Sequence, residues 1–126
     1  LGAEPLRLDP AVHDAVVARV SHLPHVVAAV LATAALGDGD GVELLRRLAS
    51  TGFRDTTRVA AGAVDVWRDI CSSNRAALLA ALDRFAATLG EFREALAEGR
   101  AEAIAAALAA GQSARARLIR DEGERS

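Results

Sequence analysis

Between Asn74 and Gly99 the large apolar side chains fall at Leu78, Leu82, Phe85, Leu89, Phe92 and Leu96, in alternating steps of four and three. That rhythm puts all six on one stripe of an α-helix, the pattern of a seam that pairs with other helices. A strand facing a core would alternate by two instead, and no stretch of this chain does so over any length. Ser72, Ser73 and Asn74 are the N-cap candidates for this long helix, and Gly99 is its natural stop.

A second stripe runs from Pro10 to Leu36 through Val16, Val20, Leu23, Val27, Val30 and Ala34, again at steps of four and three. Asp9 suits the N-cap and Pro10 the first turn, where the missing N–H costs nothing. The stripe predicts one buried helical face. Gly37-Asp38-Gly39-Asp40-Gly41 ends it, since three glycines in five residues favour a loop. The loop has acidic residues but none of the later ligands, above all the bidentate glutamate, that a calcium loop needs.

Short helices are expected over Val42–Ser50, stopping around Thr51-Gly52, and over Asp55–Ala61 with Asp55, Thr56 and Thr57 as caps. A third short piece falls near Asp65–Cys71. The last helix is expected from about Arg100 to Glu122, anchored by Ile104, Leu108, Leu118 and Ile119, with a charged tail from Asp121 to Ser126 that frays. The fold class is therefore all-α, with two to three long helices and several short ones.

Composition sharpens this picture. The chain is 52% hydrophobic but only 3% aromatic; alanine makes up most of the difference, favouring helix while burying little area per residue, so the helices must pack closely. With 126 residues it fits one domain, read here as 1–126. The net charge of −2 comes from arginines interleaved with acids, which does not suit a nucleic-acid surface. Histidine, aspartate, glutamate and arginine interrupt the apolar runs before they reach the roughly 20 residues of a membrane span. Cys71 is the single cysteine and reads as ordinary packing; with no internal disulfide possible, a reducing, cytoplasmic setting is expected. The chain shows no signal-peptide pattern, and its start at Leu1 with no methionine anywhere reads as a piece of something longer.

Two segments carry chemistry. Ser21-His22-Leu23-Pro24-His25 lies inside the first long helix, where Pro24 removes a donor and presses on the carbonyl of Val20, a cost of about 3 kcal/mol in a regular helix. A kink there re-aims the neighbouring side chains. His22 and His25 sit three apart, on roughly one side. They suit a polar pocket between helices; a zinc site would need a third or fourth ligand, and His13 lies about three turns away. His13-Asp14 has the look of a metal-dependent phosphohydrolase pair, but that chemistry needs more histidines than the three present. No metal is expected.

The second segment is Gly52-Phe53-Arg54-Asp55-Thr56-Thr57-Arg58. Two arginines one turn apart, beside hydroxyls at an expected helix start, suit a carboxylate or phosphate. Arg58 offers two parallel hydrogen bonds to a carboxylate, a geometry lysine lacks. The alternative is a solvated helix start with Asp55 as cap. Trp67, the only tryptophan, fits equally a core anchor or a ligand wall, and Asn74 reads as a cap rather than a contact.

Taken in order, His13-Asp14, Ser21 to His25, Gly52 to Ala60, and Trp67-Arg68-Asp69-Ile70 with Asn74 resemble the C-terminal helical domain of the prephenate, arogenate or cyclohexadienyl dehydrogenases. The resemblance covers about His13 to Leu96. It departs at Ala63-Val64-Asp65-Val66, where the family often has an Asp-Pro turn. It implies a substrate-binding and dimerisation domain, intertwined with a second copy, of the kind that closes 6-phosphogluconate-dehydrogenase-type enzymes. It implies oxidation of prephenate to 4-hydroxyphenylpyruvate with loss of carbon dioxide, in tyrosine biosynthesis, with NAD or NADP as oxidant.

By that resemblance Arg58 grips a substrate carboxylate, His25 makes a polar contact to the substrate, and Asp55 organises the entrance. His13, His22, Thr57 and Trp67 are supporting residues. The family's catalytic histidine and cofactor site belong to an N-terminal nucleotide-binding domain, and no strand with a glycine-rich turn is legible here. No catalytic residue is expected in this chain, which alone should be inactive. Two rival readings are a non-catalytic helical dimerisation module and a helical chorismate mutase; the latter needs cations and a glutamate facing each other across long helices.

Overall fold

In a computed structural model the described residues are 7–37 and 41–124, with side chains described to residue 120. Among them every regular element is helical: α1 Pro10–Val17, a π turn Ala18–His22, α2 Leu23–Leu36, α3 Val42–Leu48, α4 Thr51–Thr57, a 3-10 turn Arg58–Ala61, α5 Val64–Ser73, α6 Arg75–Ala97 and α7 Ala101–Glu124. The all-α expectation holds. The structure forms two compact units, Leu1–Leu82 and Asp83–Ser126.

In the first unit, α1, the π turn and α2 make one unbroken helical run, with the π turn standing just before Pro24, where a kink is expected. Its closing bond runs from the Leu23 N–H to the Ala18 carbonyl, five residues back. Widening the turn just before Pro24 draws the preceding carbonyls away from the proline ring, so the ring fits without breaking the helix. α2 then packs against α3, α4 and the 3-10 turn.

The apolar stripe of this run is not what the chain buries. Ala18 and Ala28 are buried, while Val16, Val20 and Val30 are exposed, Val20 at 71% and Val30 at 60%. Two causes combine: alanines permit the closest approach of backbones, and the extra residue of the π turn shifts the helical register across it. The run is also more apolar than expected. Its mean hydropathy reaches 1.6 over 18 residues, long and apolar enough to cross a membrane by length and composition, because Ser21, His22, Pro24 and His25 interrupt it without carboxylates or guanidinium groups.

The short helices also differ from expectation. α3 ends at Leu48, because Ala49 and Ser50 turn extended, and α4 begins at Thr51 with Ser50 in the N-cap place. Gly52, Asp55, Thr56 and Thr57 therefore lie inside α4, and the three polar residues do not cap it. Thr57 instead returns its hydroxyl to the Phe53 carbonyl at 2.8 Å. Asp9 holds the N-cap position of α1 without a side-chain bond to the helix. Asp38, Gly39 and Asp40 of the glycine-rich loop lie outside the described residues; the flanking Gly37 and Gly41 have φ of +56° and +92°.

In the second unit, which takes in α6 from Asp83 onward, α6 and α7 are joined through Gly99. With φ +66°, Gly99 donates to the Leu96 carbonyl and Arg100 to that of Ala95, at 3.2 and 2.9 Å, the paired closure that glycine favours at a helix end. Ala95 is buried, while Leu89 and Leu96 stand 56% and 61% exposed. The α7 backbone stays helical through Glu124, past the point where its charges predict fraying.

Candidate functional site

The first group of candidate residues gathers around Trp67 on α5. His25, one turn into α2, stacks on its indole with centroids 3.7 Å apart and planes within 9°. His22, at the end of the π turn, meets the same ring edge-on at 6.2 Å and 82°. The two histidines and the tryptophan thus form one aromatic cluster, each ring half-buried.

Gly62 supplies the floor. A Cβ there would lie 3.0 Å from His25 Cε1 and 3.1 Å from Trp67 Nε1. Its backbone, φ −64° and ψ 164°, suits any residue, so glycine is required here for space rather than for conformation.

Asn74 closes the cluster from the α5–α6 junction. Its amide nitrogen donates to the Asp14 carbonyl at 2.9 Å and lies 3.3 Å from His22 Nδ1. Asn74 stands at the start of α6, the place its reading as a cap expects, and its side chain in addition reaches 60 residues back along the chain. A lone asparagine after two serines carries no sign of such reach. His13 lies apart from the aromatic cluster, exposed, with Nδ1 3.4 Å from its neighbour Asp14.

The second group lines an open cavity of about 360 Å³ between α2, α3, α4 and the 3-10 turn. Arg46, Arg54 and Arg58 share its wall with Thr57, and Leu36 and Phe53 are among its apolar parts. Arg46 is held by both oxygens of Glu43 at 2.8 Å, and its carbonyl accepts from Arg54 Nη2 at 3.4 Å. Arg58 is exposed and has no ion-pair partner among the described residues. It sits where α4 passes into the 3-10 turn, not at the N-terminus of an α-helix, so any hold on an anion comes from guanidinium groups. Spacing pairs Arg54 with Arg58, one turn apart; Arg46 carries no sequence signal that singles it out.

Asp55 is exposed on α4 and is not part of this wall. His25 and Arg58 belong to two neighbouring groups, linked by the packing of the 3-10 turn against α2. Among the described residues no three of histidine, cysteine, aspartate and glutamate gather as metal ligands.

Comparison with known proteins gives this arrangement a context. A family model described as "Prephenate dehydrogenase, dimerization domain" matches residues 9–110. The cyclohexadienyl dehydrogenase of Zymomonas mobilis is 43% identical over 90 residues, 68% of this chain and 29% of that protein. The crystal structure of Synechocystis arogenate dehydrogenase superposes with a TM-score of 0.87 at 32% identity, over 93% of this chain and 43% of that one. The prephenate dehydrogenase of A. aeolicus, solved with hydroxyphenyl propionate and NAD+, gives 0.76 at 30% identity, over 88% and 39%. The chain therefore spans less than half the length of each of these proteins.

Proposed function

The chain belongs to the prephenate dehydrogenase family, in the part described as its dimerization domain, and from that premise we propose that it serves as the substrate-binding and dimer-forming part of an NAD-dependent prephenate dehydrogenase. The reaction would oxidise prephenate to 4-hydroxyphenylpyruvate in tyrosine biosynthesis: the ring carboxylate leaves as carbon dioxide while a hydride passes to the cofactor. The observation that carries the reading is the match over residues 9–110, which takes in both the histidine cluster and the arginine-lined cavity.

Prephenate is a dianion, and its recognition calls for donors already in place before it binds. Arg58, exposed on the cavity wall and unpaired among the described residues, takes a carboxylate; Thr57 beside it, its hydroxyl bound to the Phe53 carbonyl, supports the wall. His25, held flat against Trp67, offers a ring nitrogen to the substrate, with His22 and His13 in support. Asp55, outside the cavity wall on the exposed face of α4, tunes the entrance.

A bound nicotinamide supplies the hydride acceptor. The described residues hold no strand, and the glycine-rich loop before α3 follows a helix, so the strand, glycine turn and helix that hold a dinucleotide are not among them; NAD or NADP is assigned to an N-terminal domain outside this chain, with the catalytic groups.

Association into a homodimer accounts for the exposed apolar faces. Leu89 and Leu96 on α6, and the run Pro10–Leu36, of whose most apolar stretch only 11% is buried, await a second copy. The same role explains the apolarity of that run in a protein that acts in the cytoplasm, away from membranes and nucleic acid.

Arogenate is the second reading for the substrate, favoured by the close likeness to the Synechocystis arogenate dehydrogenase. The test is Arg58→Ala in the complete enzyme, assayed with prephenate and with arogenate. Loss of charged hydrogen bonds worth about 3 kcal/mol weakens binding of the true substrate roughly a hundredfold. Unchanged affinity for both would remove Arg58 from the site.

A further inference from the structure

We propose that Asn74 is a positioning residue: by donating from one amide nitrogen to the Asp14 carbonyl and to His22 Nδ1, it fixes the ring of His22 and, through Trp67, the ring of His25. The consequence for catalysis rests on reading His25 as a substrate contact.

An asparagine amide nitrogen has two hydrogens and no acceptor capacity. At 2.9 Å from the Asp14 carbonyl and 3.3 Å from His22 Nδ1, those two hydrogens have separate destinations on either side of the α1–π turn boundary. A donor facing Nδ1 requires that nitrogen to be the lone-pair nitrogen of a neutral ring, so His22 carries its proton on Nε2.

The bond also anchors the ring in space. His22 lies edge-on to Trp67, and Trp67 lies face-on to His25. Gly62 leaves no slack on the other side, with His25 Cε1 and Trp67 Nε1 both packed over it. The rotation of His22 is therefore passed to the indole and from it to His25, within a stack that has no polar tether of its own on Trp67 among the described residues.

The backbone of Asn74 is occupied separately. Its N–H donates to the Ile70 carbonyl at 3.2 Å and its carbonyl accepts from Leu78 at 2.9 Å. Those bonds survive a change of side chain, which separates the role of the amide from that of the helix start.

Asn74→Asp makes the test sharp, because aspartate equals asparagine as an N-cap but presents only acceptors. Long-range nitrogen–proton spectra of the 126-residue chain, above the ordinary histidine titration range, assign the tautomer of His22 directly. The wild-type chain is expected to show Nε2 protonated, Asn74→Asp to move the proton to Nδ1, and Asn74→Ala to give mixed tautomers. Both variants are expected to shift the emission of Trp67.

A wild-type His22 protonated on Nδ1 overturns the proposal without any variant. So does an Asn74→Asp chain with unchanged His22 signals and unchanged Trp67 emission, which would leave Asn74 as a cap alone. In the complete enzyme the expected effect of Asn74→Asp is a several-fold rise in KM with little change in kcat. Failure of the functional reading shows differently: His25→Ala would then leave substrate binding intact while the His22 and Trp67 signals still respond to Asn74.

Discussion

Replacing Gly62 by alanine tests the packing of the histidine–tryptophan stack. The added Cβ would lie 3.0 Å from His25 Cε1, and 3.1 and 3.3 Å from Trp67 Nε1 and Cδ1. Unstrained carbon contacts start near 3.5 Å, so the His25 and Trp67 rings must each retreat by a few tenths of an ångström, at most about 0.5 Å. Overpacking of this kind costs about 1–3 kcal/mol. Against it stands the lower entropy of the unfolded alanine chain, worth about 0.4–1 kcal/mol, which is fully available because φ −64° and ψ 164° suit alanine. The net expectation is a loss of about 1–2 kcal/mol, a fall in Tm of about 4–8 °C for a chain of this size.

The assay is thermal unfolding followed by circular dichroism, with fluorescence read in parallel, since Trp67 is the only tryptophan and reports the stack itself. Gly111→Ala is the control: that residue lies inside α7 with nothing within 4 Å of an added Cβ, and the change should stabilise by up to about 1 kcal/mol. A Gly62→Ala chain as stable as wild type, with the same Trp67 emission, would show that the stack yields freely and that glycine is not needed for space.

Other expectations follow from the same structure. Sedimentation of the chain at micromolar concentration should give a dimer, and Leu89→Glu, which puts a charge on the exposed seam of α6, should shift it toward monomer; a monomeric wild type would contradict the pairing. Pro24→Ala should stabilise by well under the roughly 3 kcal/mol that a mid-helix proline costs, because the π turn already accommodates the ring; a gain of that full size in chemical denaturation would show that it does not. The purified chain mixed with prephenate and NAD should form no NADH, and measurable turnover would place catalytic groups within it.

The long helices were legible because their signals are local and repeated. The stripe from Leu78 to Leu96 and the stop at Gly99 located α6 to within a residue or two at each end. The direction of burial was not legible, since it depends on alanines whose value lies in what they allow to approach; Ala18 and Ala28, not Val20 and Val30, are enclosed. The short helices were misplaced for a related reason. Thr51-Gly52 looks like a stop and Asp55-Thr56-Thr57 like a cap, yet an extended Ala49-Ser50 moves the break upstream and turns those residues into helix interior.

At the site, spacing identified His22, His25 and the Arg54–Arg58 pair, because residues three or four apart share a helix face. What brings Trp67, Gly62 and Asn74 to the histidines is tertiary, and no local pattern encodes it. Asn74 in particular has two compatible roles at one position, and only its 2.9 Å bond to Asp14 separates them.

The π turn from Ala18 to His22 makes the length of this segment as consequential as its composition. A wide turn holds one residue more than a regular helix would over the same rotation, so deleting a single residue there would restore the ordinary ladder while α1 and α2 keep their facing. Such a deletion could fall on Arg19 or Val20, leaving every residue of the SHLPH stretch in place. The carbonyl of Asp14 would still face Asn74, but Pro24 would then meet a regular turn, and the clash of its ring with the preceding carbonyls would return. Among related chains, a one-residue gap between Asp14 and Ser21 is therefore expected together with the loss of the proline: the wide turn and Pro24 stand or fall as a pair.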